Sequence, residues 1–298
     1  MKLIRGQGPW PINNTEAVVS SWVSQRLPTV EPSERQGMAR WLLEHVSGKS
    51  RGERIVEDMK WAESQLDKLA VMADRLNAGE PIQYVLKEAW FDGLRLGVTP
   101  SVLIPRPESE ELVAALAQKI NPKNNGVRVL DWCTGSGCMA LALKARLPLL
   151  DVEAFDVSEE AIDVARGNAQ RCDLDVHFGV VDLFSASLPS QPFDMVMSNP
   201  PYIPHCEKVS MQARVTHHEP GLALFVPDND PLVFYRAIEQ WCTDGGLKAE
   251  GRLGMECHTR RAEEVASMLT SGGGWKHVEI IEDLQGLPRH VVACRSLP

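Results

Sequence analysis

Four consecutive residues, Asn199-Pro200-Pro201-Tyr202, carry the most specific chemistry in the chain. Asn199 offers a side-chain carbonyl, and Pro200 offers a backbone carbonyl with no competing N–H. The two pyrrolidine rings fix φ, so both acceptors are held rigidly, and Tyr202 adds a flat face. The set suits a planar NH2 group with a delocalised lone pair, either an amide or an arylamine. Both hydrogens are gripped and the nitrogen is aimed at an electrophile. The bland alternative is a proline-rich turn after a strand.

A second constellation lies upstream, in Val129-Leu130-Asp131-Trp132-Cys133-Thr134-Gly135-Ser136-Gly137. Here a strand pattern ends in an acid and a small-residue turn enters a helix. Glycines let the backbone take φ > 0 and approach a ligand closely, and the helix start offers amides and the positive end of its dipole. The next strand pattern ends in Asp156, a carboxylate placed to take both hydroxyls of a ribose. The third ends before Asp182-Leu183, where Asp182 is suited to accept from an adenine amine and Leu183 to cover the ring. Each acid has an ordinary reading as a turn or capping residue. Their recurrence at successive strand ends, followed by Asn199-Pro200-Pro201-Tyr202, favours a nucleotide-like ligand beside an amine-gripping site.

These residues need a sheet to hold them. From residue 127 onward, strand and helix patterns alternate. Strands are expected at 127–131, 152–156, 176–180, 194–198, 252–256, 277–281 and 290–294, and helices at 137–146, 158–170, 230–241 and 259–270. Such alternation means βαβ units and a mostly parallel sheet with helices on both faces. The last two strands lack a helical crossover and are expected to pair antiparallel at one edge. Asp92-Gly93 between short apolar runs predicts a β-hairpin, followed by a helix over 109–120. The first 80 residues read as helices: one capped by Asn13-Asn14-Thr15, one starting at Pro32, and one over 61–77 with apolar residues on one face and Gly79 at its end. Five of the eight Trp lie before residue 91 and are expected to pack a small helical core. The division expected is a helical docking domain at 1–80, a hairpin linker at 81–106 and an α/β domain at 107–298.

Composition narrows the classes. With 44% apolar and 24% charged residues the chain is a folded type rather than a disordered or fibrous one. No stretch approaches the length of an apolar transmembrane span, and the first residues lack the apolar core of a secretory signal, so a cytoplasmic location is expected. The net charge of −9 falls entirely after residue 84, because residues 1–84 hold 11 basic and 11 acidic side chains. That balance argues against direct nucleic acid binding. The seven Cys are odd in number and form no C-x-x-C pair, so neither a disulfide framework nor a metal site is expected.

Taken together, Ile104-Pro105-Arg106-Pro107-Glu108-x-Glu110, Gly135-Ser136-Gly137-Cys138, Asn199-Pro200-Pro201-Tyr202-Ile203 and His218-Glu219-Pro220 resemble the peptide chain release factor N(5)-glutamine methyltransferase family. The resemblance runs from about residue 79 to the C-terminus. It implies a Rossmann-like, seven-stranded class I methyltransferase sheet with an N-terminal helical domain and a linking hairpin. It implies S-adenosylmethionine as cofactor and the glutamine of the Gly-Gly-Gln loop of class I release factors as methyl acceptor. Carried onto this chain, Asp131, Cys133, Thr134, Gly135, Ser136, Gly137 and Asp156 hold the methionine and ribose parts. Asp182 and Leu183 hold the adenine, and Asn199 stands beside the cofactor. Asn199, Pro200, Pro201 and Tyr202 form the substrate site, with Asn199, Pro200 and Tyr202 catalytic.

Two positions depart from the family pattern. Cys133 replaces the usual first glycine of the turn; its side chain either crowds the methionine end of the cofactor or fits if φ is negative. His258, in Glu256-Cys257-His258, replaces a glycine and reads as a surface residue near a helix start. The implied mechanism asks little of acid–base chemistry. The methyl donor is already electrophilic, so the protein must localise the amide lone pair and align it. No general base is named; His217 and His218 read as structural or solvated. A monomer free of membrane contact is expected. Three alternatives remain: glutamine methylation of a ribosomal protein, to which Glu88-Ala89-Trp90-Phe91 is similar; amino-methylation of nucleic acid; and a non-catalytic cofactor-binding module.

Overall fold

The computed structural model describes residues 8–121 and 123–297. Among these, residues 8–87 and 213–218 form one compact unit, and 88–212 with 219–297 form a second.

The first unit is helical: α1 (Glu16–Gln25), α2 (Pro32–Ser47), α3 (Arg51–Val56), α4 (Glu63–Asn77) and α5 (Ile82–Leu86). Its core gathers Val19, Val23, Leu27, Leu42, Leu43, Leu69 and Ala73. In α4 the buried Leu69, Met72, Ala73 and Leu76 recur at helical spacing, so one face is buried. Each fully buried Leu of this kind stabilises by roughly 1.5–3 kcal/mol. Glu16 ties the helices together, its carboxylate accepting from Arg54 Nε at 3.0 Å and from Trp61 Nε1 at 2.9 Å. Gly48 and Gly79 take φ of +68° and +87° where α2 and α4 end.

Three expectations are corrected here. Thr15 is the N-cap of α1, but its hydroxyl turns back to Asn13 Oδ1 at 2.8 Å and does not cap the helix amides. The tryptophans divide: Trp22 and Trp61 are buried, whereas Trp10, Trp41 and Trp90 are 43%, 46% and 68% exposed and form no core. Residues 82–86, assigned above to the hairpin linker over 81–106, are helical, with Pro81 as the N-cap.

The second unit opens with the hairpin β1 (Glu88–Phe91) and β2 (Leu94–Gly97). Phe91 pairs with Leu94, and the two turn residues Asp92 and Gly93 have φ of +48° and +78°, as a type I′ turn requires. Then follow α6 (Pro107–Ala117), β3 (Arg128–Trp132), α7 (Cys138–Arg146), β4 (Asp151–Asp156), α8 (Glu159–Cys172), β5 (His177–Val180), β6 (Phe193–Ser198) and β7 (Ile203–Pro204). The chain gives α9 (Ala213–His218) to the first unit and returns with β8 (Phe225–Val226), α10 (Val233–Trp241), β9 (Leu247–Glu256), α11 (Ala262–Ser271), β10 (Trp275–Glu282) and β11 (Pro288–Arg295).

Seven strands form one sheet in the order β10-β11-β9-β6-β3-β4-β5. The ladders β5–β4, β4–β3, β3–β6 and β6–β9 are parallel, and β11 is antiparallel to both its neighbours. The antiparallel pairing of the last two strands is as expected, but β11 inserts between β9 and β10 and leaves β10 at the edge. Alternation along the strands feeds two apolar layers. Val129, Met195 and Val292 pack with α6, α7 and α8, and Leu130, Val196 and Val291 with α10 and α11. The strand order reverses at β3, which is where open α/β sheets place their ligand crevice. A short parallel ladder, β7 with β8, was not foreseen; it holds the chain just after Tyr202, with Ile203 N donating to Leu224 O at 3.0 Å.

Candidate functional site

At the C-terminal ends of β3, β4 and β6 lies a cavity of about 400 Å³. Asp131, Cys133, Thr134, Gly135, Ser136, Asp156, Asp182, Leu183, Asn199 and Pro201 all line it, so the structure brings together most of the residues singled out in the sequence. Gly137, Pro200 and Tyr202 do not line its wall. Gly137 turns the chain into α7 with a φ of +79°, and a Cβ there would meet Ala165 and Phe178 at 3.1–3.2 Å. Pro200 is buried, and the Tyr202 hydroxyl is turned to Glu256.

The turn after β3 is built around Asp131, which is 1% exposed. Its Oδ2 accepts from Thr134 Oγ1 at 2.7 Å, whereas Oδ1 is buried with no hydrogen-bond partner among the described residues. Burial, with Asp156 nearby, outweighs the bonds from Thr134 and the Ala140 backbone and pushes the carboxyl pKa up to about 7. Cys133 is in the left-handed region, with φ of +59°, which overturns the possibility that a negative φ accommodates it. Its thiol lines the cavity, and burial, with Asp156 and Asp131 nearby, raises its pKa, so it stays neutral.

Asp156, at the end of β4, accepts from Gly135 N at 2.9 Å and from Ser158 N at 3.0 Å, one bond to each oxygen. It therefore fixes the glycine turn while keeping lone pairs for a ligand. Burial raises its pKa against those two bonds. Asp182 is exposed and accepts from Phe184 N at 3.0 Å, capping a single turn over Leu183–Ser185. Asp182 caps that turn and also lines the cavity, and Leu183 beneath it is buried.

Asn199 follows β6 directly. Its Nδ2 donates to Ser109 Oγ at 3.1 Å. Ser109, in the first turn of α6, donates to Glu256 Oε2 at 2.5 Å, and Tyr202 Oη donates to Glu256 Oε1 at 3.2 Å. Burial pushes the Glu256 carboxyl and the Tyr202 phenol up. His258 is not a surface residue: it is partly buried, with Nε2 3.2 Å from Glu207 Oε2 and its ring edge-on to Tyr202.

Sequence reasoning gave no role to Ser109, Glu256, Arg106, Glu219 or Asn168. Arg106 Nη2 donates to the buried Glu219 Oε1 at 2.5 Å, and Ile104 N donates to Oε2 at 3.2 Å, so residues 104–106 and 219–220 meet over the cavity. Asn168 of α8 donates from Nδ2 to Gly97 O and to Ser136 O, which joins the hairpin to the glycine turn. The signals for Arg106 and Glu219 were the Arg106-Pro107-Glu108 and His218-Glu219-Pro220 segments themselves. Asn168 sits mid-helix with no local signal.

The residues present fit S-adenosylmethionine. Asp131 Oδ1 is a buried acceptor for an ammonium, Asp156 keeps capacity for ribose hydroxyls, and Leu183 and Phe184 supply an apolar wall for a flat base.

Comparison with known proteins places the chain further. Residues 19–86 match the family model described as the PrmC N-terminal domain, and residues 109–218 match the methyltransferase small domain. The chain is 41% identical to a release factor glutamine methyltransferase of Bacteroides thetaiotaomicron, over 74% of this chain and 78% of that protein. It is 35% identical to the release factor glutamine methyltransferase of Deinococcus radiodurans, over 87% and 90%. Among solved structures, a human methyltransferase 10 domain containing protein is 18% identical, covering 68% of this chain and 90% of that one with a TM-score of 0.50; that likeness speaks to the fold.

Proposed function

This chain belongs to the release factor glutamine methyltransferase family, and on that premise we propose that it moves a methyl group from S-adenosylmethionine to the side-chain amide nitrogen of the glutamine in the Gly-Gly-Gln motif of class I peptide chain release factors. The observation that carries the reading is Asn199. Its amide sits on the wall of the cavity that Asp131 and Asp156 line, with Nδ2 engaged by Ser109 and Oδ1 left as acceptor.

S-adenosylmethionine, when bound, supplies a methyl group on an electrophilic sulfonium. The chain does the rest. Asp131 holds the ammonium end and Asp156 the ribose, while Asp182 and Leu183 receive the adenine. Cys133, Thr134, Gly135, Ser136 and Gly137 shape the turn around the methionine end. Asn199 Oδ1 takes one hydrogen of the glutamine NH2 and the Pro200 carbonyl the other, which draws the lone pair onto nitrogen and stabilises positive charge developing there. Pro201 closes the wall, and Tyr202, set behind that wall by its bond to Glu256, would have to meet the substrate amide from outside the present cavity lining. The partner is a class I release factor, met by a monomer in the cytoplasm without direct nucleic acid or membrane contact; residues 1–80 help to dock it. The net charge of −9 supports the lack of direct nucleic acid contact.

Labelled methyl donor offered with a release factor, a ribosomal protein or DNA tests the reading. Label is expected on the release factor, and none on a release factor whose Gly-Gly-Gln glutamine is replaced by alanine. Label on the ribosomal protein or the DNA alone overturns the assignment.

A further inference from the structure

A carboxamide has two orientations of nearly equal shape, and only one of them turns Asn199 Oδ1 to the cavity. Something must choose. Ser109 Oγ has a single hydrogen and lies 2.5 Å from Glu256 Oε2; burial raises the Glu256 pKa, but the bonds from Ser109 and Tyr202 and the charge of Arg289 oppose it, and the relay requires the ionised carboxylate, which only accepts. The Ser109 hydrogen therefore goes to Glu256. Ser109 Oγ is then left able only to accept, so the group 3.1 Å away on Asn199 has to be the donor Nδ2. Oδ1 is turned outward as a consequence. Tyr202 Oη donates to the other Glu256 oxygen, so the carboxylate is held at both ends. Ser109 and Glu256 are 2% and 1% exposed, so these bonds lie largely out of bulk water.

We propose that Glu256 and Ser109 are positioning residues, a relay whose task is to fix the amide orientation of Asn199. The inference rests on the reading that Asn199 accepts from the substrate amide, and adds what makes it do so. Three elements meet at this point: the end of β9, the first turn of α6 and the residue after β6. The backbone thus sets the direction in which Asn199 accepts before any substrate arrives. Outer-shell partners that orient a reacting group act in this way, through another side chain.

The test measures kcat and KM on release factor, with S-adenosylmethionine affinity by calorimetry as a check on the fold. Ser109→Ala frees Asn199 to turn over and should lower kcat roughly 10- to 100-fold, the range for lost outer-shell partners. KM for release factor and cofactor affinity should change by less than about 2-fold, because an orientation lost at the reacting nitrogen is not lost binding. Ser109→Thr keeps the hydroxyl and should recover most of the rate. Glu256→Gln can present an NH2 to Ser109, which releases the Ser109 hydrogen toward Asn199, and should lower kcat in the same sense. The decisive readout is a double-variant cycle. Ser109→Ala in an Asn199→Ala background should cost nothing further, since no orientation is left to set. Wild-type kcat in Ser109→Ala, or losses that multiply in the double variant, overturns the relay. If Ser109→Ala no longer binds cofactor, the same cycle run with Glu256→Gln decides by the same criterion. A wild-type enzyme that transfers no methyl to release factor would instead remove the underlying reading, which separates the two failures.

Discussion

If Asp131 receives the cofactor ammonium as proposed, cofactor binding should depend on pH in a range where most carboxylates are silent. It is buried, its Oδ1 has no partner among the described residues, and its pKa is raised to about 7. An ammonium brought against Oδ1 favours the ionised form, so binding must lower that pKa, and the affinity must rise with pH until Asp131 is ionised in the free protein. If the contact brings the pKa to about 5, the two-state relation makes binding about 15-fold tighter at pH ~7.2 than at pH ~5.5, a window below the ordinary α-amino pKa of about 7.7–8.0. Titration calorimetry over that window, in buffers of different ionisation enthalpy, reads both the affinity and the protons released. Asp131→Asn should bind more weakly and flatten the profile. The same residue acts on stability in the opposite sense. A carboxyl whose pKa is raised on folding contributes stability that is complete below its unfolded pKa and is lost as pH rises through about 7. At pH ~8 the ligand-free Asp131→Asn protein should therefore melt higher than wild type, although it binds cofactor less well. A pH-independent affinity in the wild type, or an Asp131→Asn profile as steep as wild type, would refute the role given to Asp131.

Four further outcomes are expected. Asn199→Ala should lower kcat by something like 100- to 1000-fold, as for lost oxyanion-hole donors, and leave release-factor affinity nearly intact; a raised KM at unchanged kcat would make Asn199 a ground-state binder. Asp156→Ala should weaken S-adenosylmethionine binding by about 1.5–3 kcal/mol, the range for hydrogen bonds to a charged group, as read by calorimetry. Cys133→Gly should change stability by only about +0.5 kcal/mol, since relief of about 1–2 kcal/mol at a positive φ is offset by about 0.5–1 kcal/mol of glycine entropy; a loss above 1 kcal/mol in denaturant titration, beyond that ~0.5 kcal/mol, would show that the thiol packs a needed contact. A chain beginning near Glu80 should still bind cofactor and should lose kcat/KM on intact release factor; equal values for both chains would end the docking role of residues 1–80.

What the sequence determined by itself is what contiguous residues encode. Asp92-Gly93 specifies a turn with two positive φ values, and alternation at period two assigns Val129 and Leu130 to opposite faces of a sheet, because both signals are set within a few bonds of the chain. The glycine turn and Asn199-Pro200-Pro201-Tyr202 were legible for the same reason, since each places several groups by local backbone constraint. Tertiary structure decided what depends on distant partners. Ser109 and Glu256 are 147 residues apart, and Asn199 and Ser109 are 90 apart, so no local pattern announces that they touch. β11 pairs with β9 across an intervening helix and strand, so no local pattern announces its place between β9 and β10. The positive φ of Cys133 was hidden because a turn that must close against Phe155 O overrides the residue's own preference. The pKa of Asp131 was hidden because a carboxyl's charge state is fixed by how much water the fold removes from it, and that is known only when the layers above and below it are in place.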